Sequence, residues 1–103
     1  MTRYILNCLT REKLIVFSWG FHSPVALNNG LQFNVNGFIF NGIIQVIYNE
    51  GTDLFDLKFI KNNKVVILLP NVQLEELIEV LDDLIEKVDN YNERVKKEYS
   101  LLL

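Results

Sequence analysis

Three turn dipeptides in the middle of this 103-residue chain, Asn36-Gly37, Glu50-Gly51 and Asn62-Asn63, limit its fold more than any other feature. A two-residue type I′ hairpin loop needs positive φ at both central positions, which Asn and Gly tolerate. Taken as such loops, they pair Val35 with Phe38 and Phe33 with Phe40, Val46 with Phe55 and Ile44 with Leu57, and Phe59 with Val66 and Leu57 with Leu68. A slip of one residue turns a whole strand over. The three registers still agree on one apolar face, and Asn29-Gly30 adds a fourth hairpin signal upstream. The pattern predicts an antiparallel meander.

Its second face then carries Ile39, Ile43, Ile47, Leu54, Ile60, Val65, Ile67 and Leu69, broken by Asn34, Asn41, Gln45, Asp56 and Lys58. A solvated sheet face is mainly polar. This one is expected to be half covered, by an amino-terminal helix or by another chain.

Upstream, Thr2–Arg11 has a capping residue in Thr2 and helical spacing of Ile5, Cys8 and Leu9, with strand as the alternative. Lys13 to Trp19 alternates Ile15, Phe17 and Trp19 and reads as a strand that Gly20 ends. Phe21–Val25 contains Pro24 and reads as irregular.

Downstream, Pro70 is expected to stop the last strand and Asn71 to cap a helix, with Glu75 and Glu76 favourable to its dipole. From Leu74 to Tyr99 the apolar residues keep a helical period with no internal Gly or Pro. A helix over Val72–Tyr99 is about 42 Å long at roughly 1.5 Å per residue. Strands of about 20 Å shelter only its first half. Leu81, Ile85, Val88, Asn92, Val95 and Tyr99 continue a four-three seam with one polar member, so they are expected to form a homo-oligomer interface, most simply a dimer. The sequence thus predicts one α+β domain over residues 1–103. Residues 1–69 hold a short amino-terminal helix and an antiparallel meander of about five to six strands. Residues 71–100 form a long amphipathic helix used for oligomerisation.

Net charge is −3, with six basic and four acidic residues in 1–69 against four basic and nine acidic in 70–103. No dense basic stripe exists for duplex DNA, and no apolar run reaches the roughly 18 residues of a membrane span. One Cys and one His leave no intrachain disulfide or Cys/His zinc cage. Phosphate-loop, dinucleotide and zinc-protease motifs are missing. Asp53 and Asp56 are three apart on a strand and point to opposite faces, while Cys8 with His22 lacks an orienting third group. A non-enzymatic protein without cofactor or metal, acting in the cytosol, is expected.

The densest binding signal is Phe17-Ser18-Trp19-Gly20-Phe21-His22-Ser23, where aromatics, the only His and two hydroxyls meet at a strand-to-loop transition. Trp19, Phe21 and His22, with Lys13, Lys61 and Lys64 for anionic groups, are the candidate ligand site. Aromatics beside lysines also suit single-stranded nucleic acid. Closure of the core by Trp19 and Phe21 is the structural alternative.

Tyr4-Ile5-Leu6, Lys13 to Gly20, Gly30 to Val35, Ile44 to Asn49 and Asp53 to Phe59 together resemble small proteins of bacteriophages and mobile elements over residues 4–85. The resemblance implies that source and a helix, meander, helix order, and it transfers no site residue. The topology is also similar to Whirly-type single-strand binders. The missing catalytic motifs, the phage-like pattern and the surplus apolar surface together lead to an expectation of binding: a homo-oligomer that counteracts host defence by sequestering a host protein or a small nucleotide-like anion, with single-strand binding or phage assembly as alternatives.

Overall fold

The computed structural model describes residues 1–86. Two helices, α1 (Thr2–Arg11) and α2 (Lys13–Ser18), precede five strands: β1 (His22–Leu27), β2 (Gly30–Asn36), β3 (Asn41–Asn49), β4 (Leu54–Lys61) and β5 (Lys64–Val72). A 3₁₀ turn, Leu74–Glu76, leads into α3 (Leu77–Ile85). The strands form one antiparallel sheet in the order β1-β2-β3-β4-β5, the expected meander.

Leu31, Phe33, Val35, Ile44, Val46, Phe55, Leu57 and Phe59 face the core by strand alternation. All three helices cover that same face: Ile5 and Leu9 from α1, Val16 from α2, and Leu77, Leu81 and Ile85 from α3 join one buried cluster. The amino-terminal helix therefore does not cover the Ile-rich face. Among the described residues, that second face carries no helix.

Registers differ from expectation wherever a loop has tertiary work to do. Asn62-Asn63 is the expected two-residue turn, with both residues at positive φ and Lys61 opposite Lys64. After Asn36 the loop is instead four residues long, with Asn36 opposite Asn41 and Phe33 opposite Ile44. Its amides turn to α3: Ile39 and Phe40 donate to the Ile85 carbonyl at 2.7 and 3.3 Å. This satisfies the end of a helix that lacks a partner of its own. Gly37 is required there, because a Cβ would lie 2.3 Å from Ile85 Cγ2. Around Glu50-Gly51 the loop also has four residues, so Val46 faces Leu57 rather than Phe55. That shift is two residues, an even number, and the apolar face is preserved. Asn28 and Asn29 link β1 to β2, since Leu27 pairs with Gly30. Gly30 is reserved for close backbone approach, because a Cβ would lie 2.0 Å from the Val46 oxygen.

Both edge strands are irregular. In β1 the register breaks between His22 and Val25, around Ser23 at positive φ and Pro24. The irregularity expected over Phe21–Val25 is therefore a break within strand β1. In β5 Pro70 does not end the strand, because an edge position needs no ladder amide there. Asn71, at positive φ, makes the second bulge, and its amide donates to Asp56 at 3.3 Å. An earlier bulge between the Phe59 and Ile60 levels puts Ile67 opposite Phe59 and Leu69 opposite Leu57. Ile67 and Leu69 consequently pack on the core, and Val66 and Leu68 are exposed, the reverse of the simple register. Bulges and prolines on both edges leave poor templates for strand addition.

Three further expectations change. Lys13–Trp19 is not a strand: Val16 and Trp19, three apart, are the residues buried, and core burial selects α2 over the local β preference. Thr2 does not cap α1; its hydroxyl donates to the Gly30 carbonyl at 2.6 Å. Asn71 does not cap the last helix either, a role filled by a capping box between Gln73 and Glu76. As for oligomerisation, Leu81 and Ile85 are fully buried against their own chain and have no surface left for a second copy. Val88, Asn92, Val95 and Tyr99, with the distal part of the expected helix, lie outside the described residues.

Candidate ligand-binding site

The α1–α2 corner brings two of the sequence-derived site residues together. Leu6, Leu9, Thr10 and Lys13 recur at spacings of three, four and seven, so they line one side of the corner. Glu12 breaks the helix at φ −114°, and the chain restarts as α2 at Lys13. Lys13 and Phe17, four apart, share a face of α2. Phe21 follows Gly20, whose positive φ of 67° turns the chain out of the helix toward β1. The ring of Phe21 stacks on Phe33 of β2 with centroids 4.8 Å apart.

These residues enclose a cleft of about 300 Å³. Leu6, Leu9, Val16 and Phe21 make its floor and Phe17 its outer wall. Thr10 and Lys13 are the polar residues on its lining, and Lys13 is the one that carries charge. The Thr10 hydroxyl is occupied locally, donating to the Asn7 carbonyl at 3.0 Å. Beside the cleft, Leu14 is 87% exposed and Phe17 72% exposed. A six-residue helix with Val16 as its buried residue has more apolar side chain than the described residues cover.

The remaining sequence-derived residues go elsewhere. Trp19 is fully buried, and its indole Nε1 donates to Asp82 Oδ1 of α3 at 2.9 Å. That ring is a core strut and offers no stacking surface. His22 is exposed on edge strand β1, its Nδ1 2.9 Å from Ser23 Oγ, and Cys8 is half-buried on α1. Lys61 and Lys64 flank the β4–β5 turn. Strands β1 and β5 are opposite edges of the sheet, about 19 Å apart at four strand spacings. A single small ligand does not reach from His22 to Lys64.

Two other depressions are more polar. A cleft of about 690 Å³ runs past Tyr4, Tyr48, Asp53, Gln73 and Glu75. There the Tyr48 hydroxyl donates to the Asp53 carboxylate, and this bond, with the nearby charge of Asp53 and Glu50, holds the phenol above its ordinary range. A shallow one of about 350 Å³ lies between His22, Asn34, Asn41 and Ile43. The helix-free sheet face mixes Ile43, Ile47 and Ile60 with a polar row in which Gln45 Nε2 donates to Gln32 Oε1 at 2.9 Å. Small-molecule sites are concave, mostly apolar, and use few polar groups for orientation. The α1–α2 cleft has that composition.

The sequence pattern contained a signal for this cleft, had residues 13–18 been read as helix. Leu14 and Phe17 then fall on one side, Val16 and Trp19 on another, and one pair must be left over. Compared with protein-family models, curated protein sequences and solved structures, the chain matches none. Among the described residues no helix is long and apolar enough to cross a membrane.

Proposed function

We propose that the protein works by binding, not by catalysis, and that it holds a largely apolar group in the cleft between α1 and α2. The observation that carries this reading is the cleft itself, about 300 Å³ with a largely hydrocarbon and aromatic lining and exposed Lys13 as its charged member. The exposed Leu14 and Phe17 extend the apolar surface beyond the rim. A protein of phage or mobile-element source, the source the sequence resemblance implies, has use for such a site if it sequesters a host component. Single-strand binding through Trp19 loses its support, because that ring lies in the core.

The test is fluorescence of the anionic apolar dye anilinonaphthalene sulfonate. The native chain should enhance it saturably at one site. Thr10→Phe, which puts a ring into the cleft from an exposed position, should remove the enhancement while circular dichroism and melting stay unchanged. Equal enhancement in both chains would overturn the assignment.

A further inference from the structure

Resting on the reading of the α1–α2 cleft as a binding site, we infer that its ligand is a free single-chain amphiphile with an anionic head, of the alkyl carboxylate class. Two features of the cleft select this chemistry. The floor of Leu6, Leu9, Val16 and Phe21 offers no hydrogen-bonding side chain, so whatever lies on it must be hydrocarbon. The lining holds one charged residue, Lys13, which is exposed, and no acidic one.

Among the described residues Lys13 has no carboxylate partner, so its charge is available to a ligand. The surrounding charge has the same sign. Residues 1–21 carry Arg3, Arg11 and Lys13 against Glu12 alone, whereas residues 70–86 carry six carboxylates and no base. An anion is therefore drawn to the α1–α2 corner and away from α3. Size follows from the volume: about 300 Å³ is at the small end of ligand pockets and suits one chain of medium length rather than two long ones. The lysine stem can lie along the alkyl chain while its head meets the carboxylate at the solvent boundary.

The probes are octanoate, decanoate and dodecanoate below their micelle limits, with decanol and decyltrimethylammonium as neutral and cationic partners of the same tail, measured by titration calorimetry. Decanoate should bind at one site per chain. Affinity should rise about fourfold per added methylene and level off once the chain outgrows the cleft. Lys13→Met, which keeps an apolar stem and removes the charge, should weaken decanoate about fivefold, an effect that added salt erases, and should weaken decanol far less. Lys13→Glu should reverse the order, so that decyltrimethylammonium binds better than decanoate.

If the three head groups bind alike and both Lys13 variants change nothing, the anionic head is wrong while the apolar cleft stands. If none of the tails binds, both readings fall. If phosphatidylglycerol vesicles capture the chain but free decanoate does not bind, the occupant is a lipid surface and the inference is overturned.

Discussion

Helices α2 and α3 are both short and rich in Leu, Ile and Val, yet they end in opposite states. In α3 Leu77, Leu81 and Ile85 are wholly buried, Ile78, Val80 and Leu84 are partly buried against the same core, Glu79, Asp82 and Asp83 take the remaining positions, and the last carbonyl is satisfied by the Ile39 and Phe40 amides. In α2 Val16 is buried, while Leu14 and Phe17 stand in solvent. The helix that satisfies its apolar residues contributes to the fold. The helix with residues left over builds a cleft. That surplus is what the proposed binding role rests on, and Trp19, leaving α2 and bonded to Asp82, ties the two regions together.

The contrast should show most strongly in truncation. Leu81→Ala should lower the free energy of unfolding by about 2–5 kcal/mol, as buried leucines do when a cavity is left. Leu14→Ala should stay within about 0.5 kcal/mol, the range of ordinary surface changes. Urea unfolding of the pair measures both, and equal losses would abolish the distinction. Trp19→Phe keeps a ring in the core but removes the donor to Asp82, and should lose about 1.5–3 kcal/mol in the same assay. Gly37→Ala should cost about 1–3 kcal/mol by overpacking the loop against Ile85. Amide exchange should locate that damage at α3 and spare α2.

The smallest effect concerns pH. Burial raises the Glu86 carboxyl above its ordinary range; the bond it accepts from the Phe38 amide at 2.9 Å pulls it down, and the charge of Asp82 pushes it up. The folded chain therefore keeps this proton to higher pH than the unfolded chain, and stability falls as pH climbs through the interval between them. Glu86→Gln removes that slope. Melting curves should show the variant gaining on the native chain above the usual carboxylate range, with the gap closing below it. A variant that loses ground as pH rises would contradict the assignment.

How much of this was legible in the sequence varied with the physics behind each element. Alternation of Phe33, Ile44, Val46, Leu57 and Phe59 disclosed the core face, because period two survives any register shift by an even number. Asn62-Asn63 disclosed its turn, since two adjacent asparagines at positive φ suit one hairpin type. The inverted face of β5 was not legible. Its bulge answers to cross-strand packing, and no glycine marks it. Lys13–Trp19 has the β-branched and aromatic content of a strand, and the burial of Val16 and Trp19 that makes Lys13–Ser18 a helix is not visible in it. At the cleft, Lys13 and Phe21 lie on one lining, as their grouping in the sequence has them, but Trp19, at the centre of that grouping, belongs to the core. Leu6 and Leu9 carry no such signal, for they join Phe17 at the cleft only once α2 packs on α1.

The most direct test of the unsatisfied helix as a binding site is a methyl carbon-13 spectrum titrated with decanoate. The account expects the methyls of Leu6, Leu9 and Val16 to shift together and saturate, with contacts from the alkyl chain, while those of Leu77, Leu81 and Ile85 stay still. Shifts confined to Ile43, Ile47 and Ile60 on the helix-free sheet face, or no saturable shift anywhere, would contradict it.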